Sequence, residues 1–170
     1  NFILEHHMFG MMLSEDKHPF KTRDGNAIKL STLLDESIER AKQIINAKKS
    51  NLSKKKRIKL AEIIGISAVK YSDLSKNRTT NYIFNWNNML NFEGNTSLYI
   101  QYAYTRILSI LKKSKIPIYK IKNNVILQKE SEINLAIKLL EFEDVIIIIS
   151  KKGTPHVMCQ YIYQLATYFS

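Results

Sequence analysis

The 170-residue chain holds a single cysteine, Cys159, so it closes no internal disulfide and builds no cysteine-based zinc site. A reducing cytoplasm is the compartment expected of it. Long hydrophobic runs are missing too: Val145 to Ile149 spans five residues, against the ~20 that a bilayer-spanning helix needs, and no membrane partner is expected. No signal peptide is read at the start, so sequons such as Asn77-Arg78-Thr79 carry little weight. No Ser-His-Asp order, Walker loop or EF-hand signature occurs. His6 and His7 are neighbours, which on a strand face opposite sides, and nothing at ligand spacing accompanies them; no metal site is expected.

Acid is absent from one long stretch. Between Glu39 and Glu62 there is none, against nine basic residues concentrated in "SKKKRIK". Over the whole chain, 26 Lys and Arg against 15 Asp and Glu leave a formal net charge of +11, a surplus that favours polyanions, nucleic acid before membrane. The basic run reads either as a solvated connector into the next helix or as a nucleic-acid contact.

What is present is an ordinary globular balance, 45% hydrophobic and 24% charged, at a length that suits one or two domains. Residues 2–13, "FILEHHMFGMML", read as a buried strand ending at a polar turn. From Ser31 to Lys48, Leu33, Leu34, Ile38, Ala41 and Ile45 fall on one helical face, with Thr32 and Asp35 in capping-box spacing. Helical spacing returns at Ile58, Ala61, Glu62 and Ile64, and Gly65 reads as a joint. The Asn-rich stretch 77–95 reads as loop with a short strand or helical turn. A long helix is expected over Thr96 to Lys115 and another over Glu130 to Lys151, closed by Gly153. Glu141, Glu143 and Asp144 form an exposed charged edge of that helix. Core packing accounts for most of Trp86, Phe92, Tyr99, Tyr102 and Tyr104, with base stacking the alternative. Both ends read as cut: Phe2-Ile3-Leu4 begins without a cap, and the last helix, opened by Thr154 and Pro155, meets no stop signal. Its apolar side, Met158, Tyr161, Ile162, Leu165 and Phe169, is then expected to be exposed.

The stretch "SEDKHPFKTRDGNAIKL", Ser14 to Leu30, is the candidate site. Lys21 and Arg23 flank the Thr22 hydroxyl, and Asp24-Gly25 can adopt positive φ. A solvated turn and a phosphate-holding loop both fit these residues.

Read in order, "FKTRDGNAIKLSTLLDE", "AVKYSDLSKNRTTNYIFNWNNMLNFEGNT", "YIQYAYTRILSI" and "GTPHVMCQYIYQLATYFS" resemble arginyl-tRNA synthetase of the bacterial type. The resemblance implies a mainly α chain: the last strand and signature loop of a Rossmann-like class I catalytic domain with tRNA-bracing helices (1–94), then part of a helical DALR-type anticodon-binding bundle (95–170). It implies ATP-dependent joining of arginine to tRNA(Arg) through arginyl-adenylate, with Mg2+ as counterion of ATP, in a cytoplasmic, monomeric parent. The signature loop falls at 18–25. Lys21 matches its second lysine and is the catalytic candidate, Thr22 keeps the hydroxyl of its final serine, and His18 stands where the first lysine is expected. Phe9, Gly10, Met11 and Met12 would pass beside the adenine, Gly10 permitting a close approach. The implied tRNA contacts are Lys54, Lys55, Lys56, Lys70, Lys76 and Arg78, with Tyr102 and Arg106 in the hallmark "QYAYTR" helix. The companion His-Ile-Gly-His motif and the arginine pocket are absent, so the isolated chain is expected to be inactive. A basic helical RNA-binding module without catalysis is the alternative from another class; another class I synthetase is a further one, against which the "FEGNT" to "QYAYTR" block stands.

Overall fold

Leu33, Ser37, Ala41 and Ile45 recur at four-residue spacing. In the computed structural model, which describes residues 2–19, 29–48, 52–115 and 125–170, they are the buried stripe of helix α1 (Leu30–Ala47). The chain divides into two units, Asn1–Leu90 and Asn91–Ser170.

In the first unit α1 packs on α2 (Lys54–Leu74). Arg57 Nη1 donates to Asn46 Oδ1 at 3.4 Å near one end, and Gly65 lies against Ile38 in the middle, so the two helices run antiparallel. Gly65 is not a joint. The helix passes through it unbroken, and its missing side chain serves a close helix approach instead. The helix begins at Leu30, so Thr32 and Asp35 are already helical and make no capping box; the N-cap position is Lys29, without a side-chain cap bond. The basic run is no connector either, because Lys54 opens α2.

The expected strand over 2–13 is reduced to β1 (Met12–Leu13), which pairs in parallel with β2 (Tyr82–Ile83) in the register Met12 to Tyr82 and Leu13 to Ile83. Residues 2–9 are exposed. A buried parallel strand needs neighbours and a cover on both faces, and among the described residues only the two of β2 and a single bridge from Leu13 to Pro19 pair with it. Parallel pairing demands a crossover, and α1 with α2 forms it. A single-turn helix α3 (Trp86–Met89) follows, capped by Asn85, whose Oδ1 accepts from Asn88 N–H. Trp86 is wedged edge-on against Phe84, with centroids 4.9 Å apart, and beneath the Arg40 guanidinium.

Among its described residues the second unit has helices as its only regular elements. Thr96 caps α4 (Ser97–Ser114) by accepting from Tyr99 N–H at 3.2 Å, and Lys115 closes it in the left-handed conformation. The single helix expected over 130–151 is two, α5 (Glu130–Leu140) and α6 (Phe142–Lys152), parted at Glu141. No Gly or Pro marks that break, and both segments lie on α7 (Pro155–Phe169). Gly153 ends α6 at φ 59°, its N–H donating to Ile149 carbonyl. Helix α7 is central: Asn95 reaches Gln160, Tyr99 meets Tyr163, and Arg106 sits over Phe169, so α4 and α7 run parallel. The expected exposure of the α7 apolar side is overturned, since Tyr161 is buried and Met158, Ile162, Leu165 and Phe169 are half-buried. Glu143 and Asp144 are exposed, as expected, while Glu141 holds Lys138 at 2.6 Å. Tyr102 and Tyr104 are exposed rather than core, because α4 buries Ser97, Leu98 and Ala103.

Candidate functional site

A tight hairpin leads into the candidate loop. Lys17 N–H donates to Ser14 carbonyl, Ser14 N–H donates to His18 carbonyl, both at 2.9 Å, and Leu13 then bridges Pro19 in antiparallel fashion. This is a three-residue hairpin with its closing residue left-handed. That residue is Lys17, at φ 62°. Residues 18 and 19 are thereby folded back beside the end of β1. His18 is exposed on this turn; Lys21 and Thr22 lie outside the described residues.

The segment before the hairpin is held by the loop before β2, across some 70 residues of sequence. Gly10 N–H donates to Arg78 carbonyl at 2.5 Å, Met11 N–H to Asn81 Oδ1 at 2.8 Å, and Tyr82 N–H to Met11 carbonyl at 3.1 Å. The space a side chain at Gly10 would need is filled by the Thr80 carbonyl. The close approach at Gly10 is therefore made by the protein's own backbone, a reason for glycine different from the adenine contact expected. Arg78 is turned onto this segment and not outward: Nη1 donates to Met8 carbonyl at 2.6 Å, and Nη2 lies 3.2 Å from His7 Nδ1. His7 Nε2 in turn lies 2.9 Å from Glu5. With both terminal guanidinium nitrogens so engaged, Arg78 is a brace of the loop.

Phe9, Gly10, Met11 and Met12 line one side of a cleft of about 710 Å³. Helix α1 contributes Leu30, Leu33 and Leu34, α2 contributes Val69, Lys70, Ser72 and Asp73, β2 and its flank contribute Tyr82 and Phe84, and Pro19 stands at the hairpin side. The cleft is mainly apolar and aromatic, with Lys70 and Asp73 as its charged groups. Lys70, an expected tRNA contact, is exposed at this cleft. The Tyr82 hydroxyl donates to Asp73 Oδ1 at 3.1 Å. Burial first, then the Asp73 charge and that hydrogen bond, push the phenol up to about 12, so it is a proton donor throughout the physiological range. Tyr82, Asp73 and Asn81 carried no signal in the sequence, since their partners are distant along the chain or lie in a stretch without periodicity.

Lys54, Lys55 and Lys56 form the exposed first turn of α2, and Lys76 is exposed just past its end. In the second unit Tyr102 and Arg106 are exposed on α4, with Arg106 Nη1 3.4 Å from Ser170 carbonyl. Cys159 is buried, which pushes its thiol up. Among the described residues no three or more His, Cys, Asp or Glu gather as a metal site, and no helix is long and apolar enough to cross a membrane.

Comparison with known proteins covers the whole chain. A family model described as tRNA synthetases class I (R), catalytic domain, matches residues 1–86, and a model of the DALR anticodon binding domain matches residues 100–170. An arginine–tRNA ligase of Buchnera aphidicola subsp. Schizaphis graminum is 72% identical over 170 residues, 100% of this chain and 29% of that relative. The arginine–tRNA ligase of Enterobacter sp. (strain 638) is 54% identical over 168 residues, 98% of this chain and 29% of the relative. The crystal structure of arginyl-tRNA synthetase from Plasmodium falciparum superposes with a TM-score of 0.76 at 37% identity, covering 95% of this chain and 27% of that one. The chain thus spans less than a third of the length of these relatives.

Proposed function

Because the chain belongs to the class I tRNA synthetases of the arginine type, we propose that it works as part of a longer arginine–tRNA ligase, joining arginine to tRNA(Arg) at the expense of ATP. A stand-alone RNA-binding module would not account for a catalytic-domain match over residues 1–86. In this reading residues 1–94 close the catalytic domain and brace the tRNA, and residues 95–170 begin the anticodon-binding bundle. The protein acts in the cytoplasm as a monomer.

The observation that carries the catalytic part is the convergence of Phe9, Gly10, Met11, Met12 and Pro19 on one cleft. The segment that follows Pro19 carries Lys21 and Thr22, so a loop rooted at the cleft would bring an ammonium and a hydroxyl to the phosphates of an ATP whose adenine lies along Phe9 to Met12. ATP is written with Mg2+ as its counterion, part of the substrate. The arginine carboxylate attacks the α-phosphate and pyrophosphate leaves; a terminal ribose hydroxyl of the tRNA then attacks the arginyl carbonyl, forming the ester as AMP leaves. Negative charge builds on the leaving pyrophosphate, and Lys21 stabilises it there more than in the ground state. His18, an imidazole where the family loop has its first lysine, contributes less. Lys54, Lys55, Lys56 and Lys76 in the first unit, and Tyr102 and Arg106 in the second, face the tRNA.

The test is arginine-dependent ATP–pyrophosphate exchange with tRNA present. A parent-length protein is expected to show exchange with arginine alone among the amino acids, and the 170-residue chain to show none. No exchange from the parent would remove the reading.

A further inference from the structure

A second cleft, of about 430 Å³, lies between the end of α1 and the start of α2. It is lined by Lys42, Ile45 and Asn46 of the first helix and by Lys54, Arg57 and Ile58 of the second. Each triple has i, i+3, i+4 spacing, which puts its members on one helix face. Three cations from two antiparallel helices therefore meet over one concavity. The basic run divides here: Lys54 and Arg57 line the cleft, Lys55 and Lys56 do not.

Among the described residues the cleft is short of acceptors. Lys42 pairs with Glu39, one turn back on α1 and outside the cleft. Arg57 reaches Asn46 only at 3.4 Å, and its Nε–H is buried without a hydrogen-bond partner. That nitrogen is enclosed, so an acceptor in the cleft would meet the terminal nitrogens of the half-buried Arg57 side chain, one of which Asn46 holds only at 3.4 Å. Helix α2 sharpens the point. Its first turn holds lysines and no acid, and the Ser53 side chain makes no cap bond, although the positive end of a helix favours anions and acidic residues. A local arrangement that breaks these rules together marks a functional place.

We propose that this cleft holds one phosphodiester of an RNA backbone, with the Arg57 guanidinium as a fork on its two free oxygens and Lys42 and Lys54 on either side. A guanidinium presents parallel N–H groups that match a phosphate, which an ammonium does not. The inference rests on the tRNA-binding reading above and adds to it a discrete contact, including Lys42 and Arg57, which the basic run alone did not single out.

The test is binding of fluorescently labelled tRNA to the 170-residue chain from about 50 to 200 mM KCl, with each variant checked for folding by its thermal melt. Arg57→Gln and Lys42→Gln are each expected to weaken binding and to flatten the log–log salt slope by roughly 0.7 to 0.9, about one phosphate. Arg57→Lys keeps the charge and so the slope, yet is expected to lose about threefold in affinity through the lost fork. Inorganic phosphate, balanced against KCl for ionic strength, is expected not to displace the tRNA; displacement would make this a free-phosphate site and overturn the proposal. If the unaltered chain binds no tRNA, the tRNA reading falls and the inference with it. If it binds and Arg57→Lys and Lys42→Gln behave as the unaltered chain does, the inference alone falls.

Discussion

A Cβ built on Gly65 would lie 2.8 Å from the Cα of Ile38 on the facing helix, well inside the ~3.5 Å at which two carbons pack. Around this point the seam between α1 and α2 is made of small residues: Ser37, Ala41, Ala61 and Ala68 are all buried. The approach sets the geometry that carries both clefts. Leu33, Leu34, Val69 and Lys70 line the one, and Lys42, Asn46, Lys54 and Arg57 the other.

Gly65→Ala separates helix propensity from packing. Alanine favours the helix by about 1 kcal/mol, whereas overpacking against backbone that cannot turn away costs about 1–3 kcal/mol. Net destabilisation, read as a lower urea midpoint, is the expected outcome. A raised midpoint would mean that the helices part without cost.

Lys17→Gly acts on the hairpin that feeds the candidate loop. Lys17 sits at φ 62°, where a side chain is strained and glycine is not. The substitution is expected to stabilise the first unit by about 0.5–1 kcal/mol, less whatever the freer unfolded chain offsets, while Lys17→Pro, which cannot take positive φ, destabilises it. Thermal melts of the two variants with opposite signs are the expected pattern; equal effects would contradict the turn.

Alkaline titration reads the Tyr82–Asp73 pair. The phenol is raised from an ordinary 10.0 to about 12 in the fold, so between these values the folded chain keeps a proton that the unfolded chain has released. Stability supplied by this group is complete below pH ~10 and falls as pH rises toward 12. Tyr82→Phe is expected to be less stable than the unaltered chain at neutral pH and to lose less of its stability across that window. Parallel alkaline limbs for the two proteins would exclude the pair.

Helix α5 carries the opposite sign. Glu132 Oε2 accepts from the backbone N–H groups of Gln128 and Lys129 at 2.9 and 3.1 Å, and these hydrogen bonds hold its carboxyl below the usual value. Its contribution is present above the ordinary glutamate pKa and is lost as pH falls through the lowered one. Glu132→Gln is expected to reduce helicity at neutral pH and to lose less on acidification. An unchanged acid limb in circular dichroism would deny the cap its role.

The sequence disclosed what local physics decides. Helices α1, α4 and α7 followed from apolar periodicity, with Thr96 and Pro155 at their starts, and Gly153 marked the end of α6. It could not disclose what distant chain decides. Residues 2–9 have the composition of a strand but lack sheet neighbours among the described residues, Gly65 reads as a breaker until Ile38 is placed against it, and the Glu141 break follows no breaker residue. The candidate site divides in the same way. Phe9 to Met12 were legible as one segment, whereas Tyr82, Asp73 and Asn81 reach them through hydrogen bonds and packing that no short-range spacing encodes. Arg78 looked like a surface cation because its acceptor, the Met8 carbonyl, is 70 residues away.

The most direct measurement is single-turnover formation of arginyl-adenylate by the parent-length enzyme carrying Lys21→Ala or His18→Ala. Lys21→Ala is expected to slow the step at least about tenfold, or ~1.4 kcal/mol of transition-state stabilisation, with tRNA affinity nearly unchanged. His18→Ala is expected to do much less, and His18→Lys to hold or raise the rate by adding an ammonium next to Pro19. Equal, small losses at positions 18 and 21 would contradict the account and leave the loop after Pro19 as a solvated turn.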